Sequence, residues 1–329
     1  MSAAPPTAGE APGPDTTHED VAASVVVCTR NRAAPLGRCL AALAALRAPP
    51  AGRLEILVVD NASTDGTAAV VAAFVARQPA RFRYLHEARR GKSHALNTGI
   101  AQARGGIVLM TDDDCLVTPD WVCNMLEAFL ADPGLGAVGG SVLLHDPADR
   151  AVALRTSEVA AELRDTGPLF SFVGGGNLAV RRDVLARIGS FDPLLGPGSA
   201  RNLGAEDIDY VYRMYREGVR IAYEPRARLS HDHGRRSDAQ VAALHKTYIE
   251  GRGAFYAKHV LDGDRHALRM AYWEVLGCLR EACRRPLAGQ RMRAQARVVA
   301  QLLRGAAWRL GVELRRWRQA RGEPASCGD

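Results

Sequence analysis

Residues 107–119 read IVLMTDDDCLVTP. The apolar run at 107–110 has the length and composition of a buried strand. It leads directly into three adjacent carboxylates, Asp112, Asp113 and Asp114. Like charges this close repel unless a cation or water screens them. A hard divalent cation is commonly held by one or two carboxylates together with substrate phosphates. Taken alone, the triplet also fits a polar turn capping the helix expected at 119–130, so the surrounding chain decides.

Upstream, strand and helix patterns alternate. Residues 24–29 (SVVVCT) form an apolar strand pattern followed by the polar Arg30, Asn31 and Arg32. Leu36, Leu40 and Leu43 repeat at helical spacing and predict a helix over 35–46, ended by Pro49, Pro50 and Gly52. A second strand at 54–59 (LEILVV) delivers Asp60 at its end. Turn residues at 61–66 precede a helix at 67–77, and a third strand is expected at 82–86. Residues 89–97 form a basic, glycine-containing loop entering a helix. This alternation predicts an α/β fold with a mostly parallel sheet flanked by helices. Ligands of such sheets bind beyond the carboxyl ends of the strands. Asp60 and the carboxylates at 112–114 would share that edge, which turns an ambiguous acidic turn into half of a site.

Downstream, Gly174, Gly175 and Gly176 interrupt an apolar segment before Asn177. Glycines there weaken a strand and mark a close backbone approach, though a simple turn or bulge has the same signature. Glu206 and Asp207 open a helix with apolar positions Ile208 and Val211; acids in a first turn also serve simply to complement the helix dipole. A short strand is expected at 220–223, and then His231, Asp232 and His233 stand beside Arg235 and Arg236. Such a cluster suits a metal or a phosphate.

After Ser237 the pattern is helical. Within 290–321, Val299, Leu302, Leu303, Ala306, Leu310, Leu314 and Trp317 are placed on one face, with Arg297, Arg304 and Arg315 opposite and Trp308 among them. Such a helix covers its own core, joins a partner as in a homodimer, or lies on an anionic membrane; all three readings stand. Net charge is +7, yet residues 252–321 carry 16 Lys/Arg against 5 Asp/Glu, a balance of +11. The basic excess therefore lies in that region alone. Residues 1–20 lack periodicity and an apolar core, so they are expected to be disordered and to hold no secretory signal. No run approaches the roughly 18 apolar residues of a membrane span. Seven cysteines without paired spacing point to reduced thiols in the cytoplasm.

Seven pieces in order, VVVCTRNR, VVDNASTDGT, RGKSHALNTG, LMTDDDCLVTPDW, GGGNLAVRRDVLARIGSFD, GAEDIDYVYRM and YEPRARLSH, resemble the family-2 inverting glycosyltransferases of the GT-A fold. The resemblance runs from about residue 24 to 233. It implies a GT-A domain over 21–236, with a nucleotide-sugar half to about 115 and an acceptor half after it, followed by a helical basic extension over 237–329. It implies a nucleotide-diphosphate sugar as donor and a divalent metal, manganese or magnesium. Carried over by position, Thr29, Arg30 and Asn31 border the base and ribose. Asp60 contacts the base or ribose, with Lys92 and Asn97 near the same pocket. Asp112 and Asp114 are the ends of the DxD motif. Asp112 is assigned chiefly to the ribose and also to the metal, Asp114 is the direct metal ligand, and Asp113 between them belongs to the donor-binding set. Gly174, Gly175, Gly176 and Asn177 line the donor sugar and acceptor. Asp207 is the general base, paired with Glu206. His231 is a further metal ligand or diphosphate contact, with His233 competing for the role. The acceptor is a glycan, lipid-linked, protein or natural-product hydroxyl, and no nucleic acid is implied. The chain carries no QxxRW-type motif after the acidic pair, which predicts transfer of one sugar rather than polymer synthesis. The membrane reading of the last helix would place the protein peripherally on the inner face of the membrane.

The chemistry read from the residues agrees. A departing diphosphate needs cationic stabilisation, and an attacking hydroxyl needs a carboxylate base; the sequence supplies both. A nucleotidyltransferase would want a glycine- and lysine-rich loop after the first strand, where this chain reads TRNRAAP. An inactive binding protein would have no need to keep Asp60, both ends of the carboxylate triplet and the acidic pair.

Overall fold

A computed structural model describes residues 21–49, 51–167, 169–283 and 288–321. The expectation for residues 1–20 lies outside them. Strands β1 Val21–Thr29, β2 Arg53–Asp60, β3 Phe82–His86 and β4 Ile107–Asp112 are parallel, in the spatial order β3-β2-β1-β4. Helices α1 Ala33–Ala44, α2 Thr67–Arg77 and α3 Lys92–Gln102 connect them. The strands read as continuous apolar runs because both faces are covered. Val25 and Val27 enter one core layer with Leu36, Leu40 and Trp121; Val26 enters the other with Leu57, Leu96 and Tyr210.

The second half continues with β5 Cys115–Val117, α4 Trp121–Ala131, β6 Leu135–Leu144, β7 Ala161–Glu162, α5 Leu169–Phe172, β8 Asn177–Arg181, α6 Arg182–Ile188, α7 Glu206–Arg216 and β9 Arg220–His231. Strand β8 lies antiparallel between β4 and β6, β9 runs parallel to β6, and β5 and β7 pair antiparallel with β9. Strand β9 runs to His231, well past the short strand expected at 220–223. Its register with β6 shifts between Gly140 and Ser141, where Glu224 gives way to Arg228 as partner. Pro225, which has no N–H to donate, sits in that bulge. Strand β6 has little sequence signature because Gly136, Gly139 and Gly140 dilute it. Gly140 has to be glycine, since a Cβ there would collide with the Ala227 carbonyl.

Three helices close the chain: α8 Asp238–Leu261, α9 Arg265–Ala282 and α10 Ala288–Ala320. Helix α8 starts in a capping box formed by Ser237 and Gln240. Helices α8 and α10 touch backbone to backbone, with Gly253 against Leu302 and Gly305 against Glu250. This contact divides the single apolar face expected for α10. Leu302 is buried, whereas Leu303, Leu310, Leu314 and Trp317 are exposed. Trp308, expected among the basic residues, packs against Leu195, Leu203 and Ala254. The small residues let α8 take the glycine-lined side of α10, which places part of the leucine stripe outside. Among the described residues no helix is long and apolar enough to cross a membrane.

Candidate active site

Strand register gathers the candidate residues along one sheet edge. Thr29 lies opposite Asp60, Cys28 opposite Asp112, and Cys115 opposite His231. The antiparallel β5–β9 pair thus brings His231 beside Asp114, 117 positions earlier in the sequence.

Each of the three carboxylates meets a cation. Lys92 Nζ stands 2.5 Å from Asp112 Oδ1 and 3.5 Å from Glu206 Oε1. Burial alone would lower the Lys92 pKa, but Asp112 and Glu206 outweigh it and hold the ammonium well above its ordinary value. Asp113 turns inward and accepts a 2.7 Å hydrogen bond from Thr29 Oγ1. Burial pushes its carboxyl up to about 6 against the pull of Arg32. Asp114 accepts from Arg32 Nη2 at 2.7 Å and lies 3.3 Å from His231 Nε2. Burial would raise Asp114, but His231 and Arg32 outweigh it and hold the carboxyl below the usual range. Arg32 also pairs with Asp113, Nε to Oδ1 at 3.0 Å. Sequence reasoning placed Arg32 only in a polar turn; its spacing from the carboxylates gives no signal of this contact.

On the far side of the edge, buried Asp60 accepts from the Tyr84 hydroxyl and the Ser63 amide, both at 2.9 Å. Arg30 Nη1 donates to the Asn61 carbonyl at 2.8 Å. Exposed Asn31 adopts a positive φ of 51° and bonds to Ser63 and Thr64. Asn61, which sequence reasoning placed only in a turn, is buried and ties this loop to Glu87, Arg89 and Gly91. Asn97 does not join the group. It lies inside α3, and its amide is committed on both sides to the Phe191 backbone, at 2.9 and 2.8 Å. The helix begins at Lys92, not after residue 97, so Asn97 stands on its second turn with its side chain held by Phe191.

The glycine segment runs between the two acidic sets. The Gly175 amide donates to Asp207 Oδ2 at 2.9 Å. A Cβ on Gly175 would sit 2.8 Å from the Asp207 Cβ, and one on Gly176 would sit 2.8 Å from Asp112 Oδ2. Gly174 faces open space. Asn177 departs from the expected sugar-lining role. It is fully buried, accepts from Trp121 Nε1, and donates to the carbonyls of Ser141 and Ala227. Its side chain holds β8 to the scaffold. Asp207 is partly open, while Glu206 is buried, and burial pushes Glu206 up to about 8 despite Lys92. Tyr248 of α8, which carries no motif in the sequence, has its ring over Gly204, where a Cβ would come within 2.6 Å.

The donor set fits a divalent cation. Asp114, Cys115 and His231 each offer an atom, and these lie within 4.8 Å of one another. Burial keeps the Cys115 thiol protonated, its pKa well above the ordinary value, which leaves oxygen and imidazole donors. His233 packs its ring edge-on against His231, centroids 5.0 Å apart, but its Nδ1 is engaged elsewhere, accepting from the Arg235 amide at 3.0 Å and lying 3.5 Å from Asp149.

Comparison with known proteins gives a consistent picture. The family model described as Glycosyl transferase family 2 matches residues 24–189. Poly-beta-1,6-N-acetyl-D-glucosamine synthases of Staphylococcus epidermidis and Staphylococcus aureus are 27% and 28% identical over 179 residues. Each match covers 53% of this chain and 41% of the synthase, so the chain spans well under two thirds of these relatives. Among solved structures, the mannosyltransferase PcManGT of Pyrobaculum calidifontis, in complex with GDP-Man and Mn2+, superposes with a TM-score of 0.56 at 23% identity. That superposition covers 88% of this chain and 86% of PcManGT. S. aureus TarS 1–349 in complex with UDP-GlcNAc gives a TM-score of 0.56 at 18% identity, covering 85% and 72%. The shared fold is the GT-A glycosyltransferase fold.

Proposed function

The chain belongs to glycosyl transferase family 2; from that premise we propose that it is a glycosyltransferase that moves one sugar from a nucleotide-diphosphate sugar to an acceptor hydroxyl with inversion. The observation that carries this reading is the convergence of Asp112, Asp114 and His231 with Asp207 around the glycine segment. Thr29, Arg30, Asn31 and Asp60 form the nucleotide side, with Asn61 bracing their loops.

Asp114 and His231, with Asp112 beside them, would hold manganese or magnesium, which supplies positive charge to the departing diphosphate when bound. Lys92 adds a second positive charge next to Asp112. Asp207 accepts the proton of the acceptor hydroxyl as that oxygen attacks the anomeric carbon. The Gly175 amide fixes Asp207 Oδ2 and the Ile208 amide fixes Oδ1, at 2.9 and 2.8 Å, so the carboxylate plane is set and a second lone pair on each oxygen can take the proton. The bond from the anomeric carbon to the diphosphate breaks as the new bond forms on the opposite face, so one base suffices. This differs from glycoside hydrolysis, where two carboxylates flank the scissile bond. Glu206, held protonated at neutral pH, is the neutral member of the acidic pair. The solved complexes with GDP-Man and with UDP-GlcNAc support a nucleotide-sugar donor. The named synthase relatives support a glycan acceptor, with lipid-linked, protein and natural-product acceptors as the other classes. We take transfer of a single sugar as the reading because the sequence after the acidic pair holds no QxxRW-type motif, although the named relatives are poly-beta-1,6-N-acetyl-D-glucosamine synthases.

The test is a panel of nucleotide sugars incubated with the protein and manganese. Release of the matching nucleoside diphosphate from one donor is the expected result. Pyrophosphate release from a nucleoside triphosphate and a sugar phosphate would instead indicate nucleotidyl transfer. Absence of binding and turnover across the panel would contradict the proposal.

A further inference from the structure

We propose that the outer face of α10 docks the protein onto an anionic lipid surface. Met292, Leu303, Leu310, Leu314 and Trp317 are 59%, 63%, 41%, 56% and 52% exposed. They follow one another at steps of eleven, seven, four and three residues. Each step is close to a whole number of helical turns, so the five form one straight stripe. The stripe is distinct from the side that meets α8, where Leu302 and Gly305 lie. Arg293, Arg297, Arg304, Arg315 and Arg318 are exposed and lie along its flank away from α8. Neighbouring helix α9 also exposes Tyr272 and Trp273, with Arg280 over the Trp273 ring, though the stripe on α10 alone carries the argument.

Charge selects the occupant. Among the described residues of α9 and α10 no exposed side chain is acidic. Glu274 and Glu313 are half-buried and paired with Arg252 and Arg309, and Glu281 is half-buried as well. A second copy apposed through this face would set arginines against arginines. Nucleic acid would satisfy the arginines but leave an aliphatic stripe without a partner. An interfacial helix on anionic lipid satisfies both, burying leucines at the acyl boundary, arginines at the headgroups and tryptophan between. The inference stands on this surface alone and is independent of the chemistry proposed above.

The test is co-sedimentation of the full chain with vesicles of phosphatidylcholine alone or with phosphatidylglycerol added. Binding to the anionic vesicles only, falling as salt rises, is expected. Leu303→Glu with Leu310→Glu should abolish it while circular dichroism and nucleotide-sugar binding stay unchanged. Arg304→Gln should weaken partitioning about fivefold at low salt. Three results would each overturn the proposal. One is no binding by the unaltered chain at low salt. Another is undiminished binding by the double variant. The third is a dimer that the double variant disrupts, with no lipid binding by either form.

Discussion

The backbone amide of Gly175 donates a 2.9 Å hydrogen bond to Oδ2 of Asp207. The candidate base is therefore positioned by main chain rather than by another side chain, and a Cβ on neighbouring Gly176 would likewise come within 2.8 Å of Asp112 Oδ2. Two adjacent glycines face the two halves of the reaction. Gly175→Ala would push against Asp207 and Gly176→Ala against Asp112. Gly175→Ala should lower kcat by about a hundredfold with donor affinity nearly intact, because a displacement near 1 Å costs that much. Gly176→Ala should weaken donor binding first. Steady-state kinetics with donor titration separates the two, and identical profiles would contradict the assignment.

Arg32 bridges Asp113 and Asp114. Its side chain is 38% exposed, so the pairs add little stability. A guanidinium on Asp114 competes for the oxygen that a divalent cation would use. Arg32→Gln should tighten manganese binding in the absence of nucleotide by several-fold, read as free manganese by electron paramagnetic resonance. Unchanged or weaker binding would count against this competition.

Asn177→Ala should destabilise the fold by about 3 kcal/mol, because Trp121 Nε1 and two buried carbonyls lose their partner. Tm should fall by several degrees while the folded fraction keeps its donor affinity. A large loss of donor affinity without loss of Tm would restore the sugar-lining role.

Glu206 gives a pH signature. Its folded pKa of about 8 lies above the ordinary 4.5. Below about 4.5 it is protonated in both states, and its contribution to stability is fully present. Between about 4.5 and 8 only the unfolded chain ionises, so stability falls as pH rises. Glu206→Gln removes that slope, and its advantage over the unaltered chain should grow from pH 5 to 8. Chemical denaturation at several pH values, without nucleotide, measures it; a constant difference would contradict the burial argument.

The parallel half of the fold was legible because its strands are short apolar runs with turn residues at their ends. Strands β5 and β6 were hidden for opposite reasons: β5 is three residues beside a charge cluster, and β6 is diluted by glycines that close packing demands. The edge location of Asp60 and Asp112 followed from the strand pattern, whereas the Arg32 and Asn61 contacts depend on loop conformations that no spacing encodes. Asn97 and Asn177 lay within matching motifs, yet each has its amide committed to holding the backbone. The leucine repeat of α10 was visible, but only the seating of α8 on Gly305 reveals which leucines stay outside.

The most direct measurement is transfer of labelled sugar by the Asp207→Asn variant, with donor affinity determined in parallel. The amide keeps the shape and an oxygen for the Gly175 bond, gives up only the bond that Oδ1 accepts from the Ile208 amide, and cannot take a proton. Donor binding within about twofold of the unaltered chain, with transfer lowered by about a thousandfold or more, is the predicted result. Turnover close to that of the unaltered chain would contradict the assignment of Asp207 as the base.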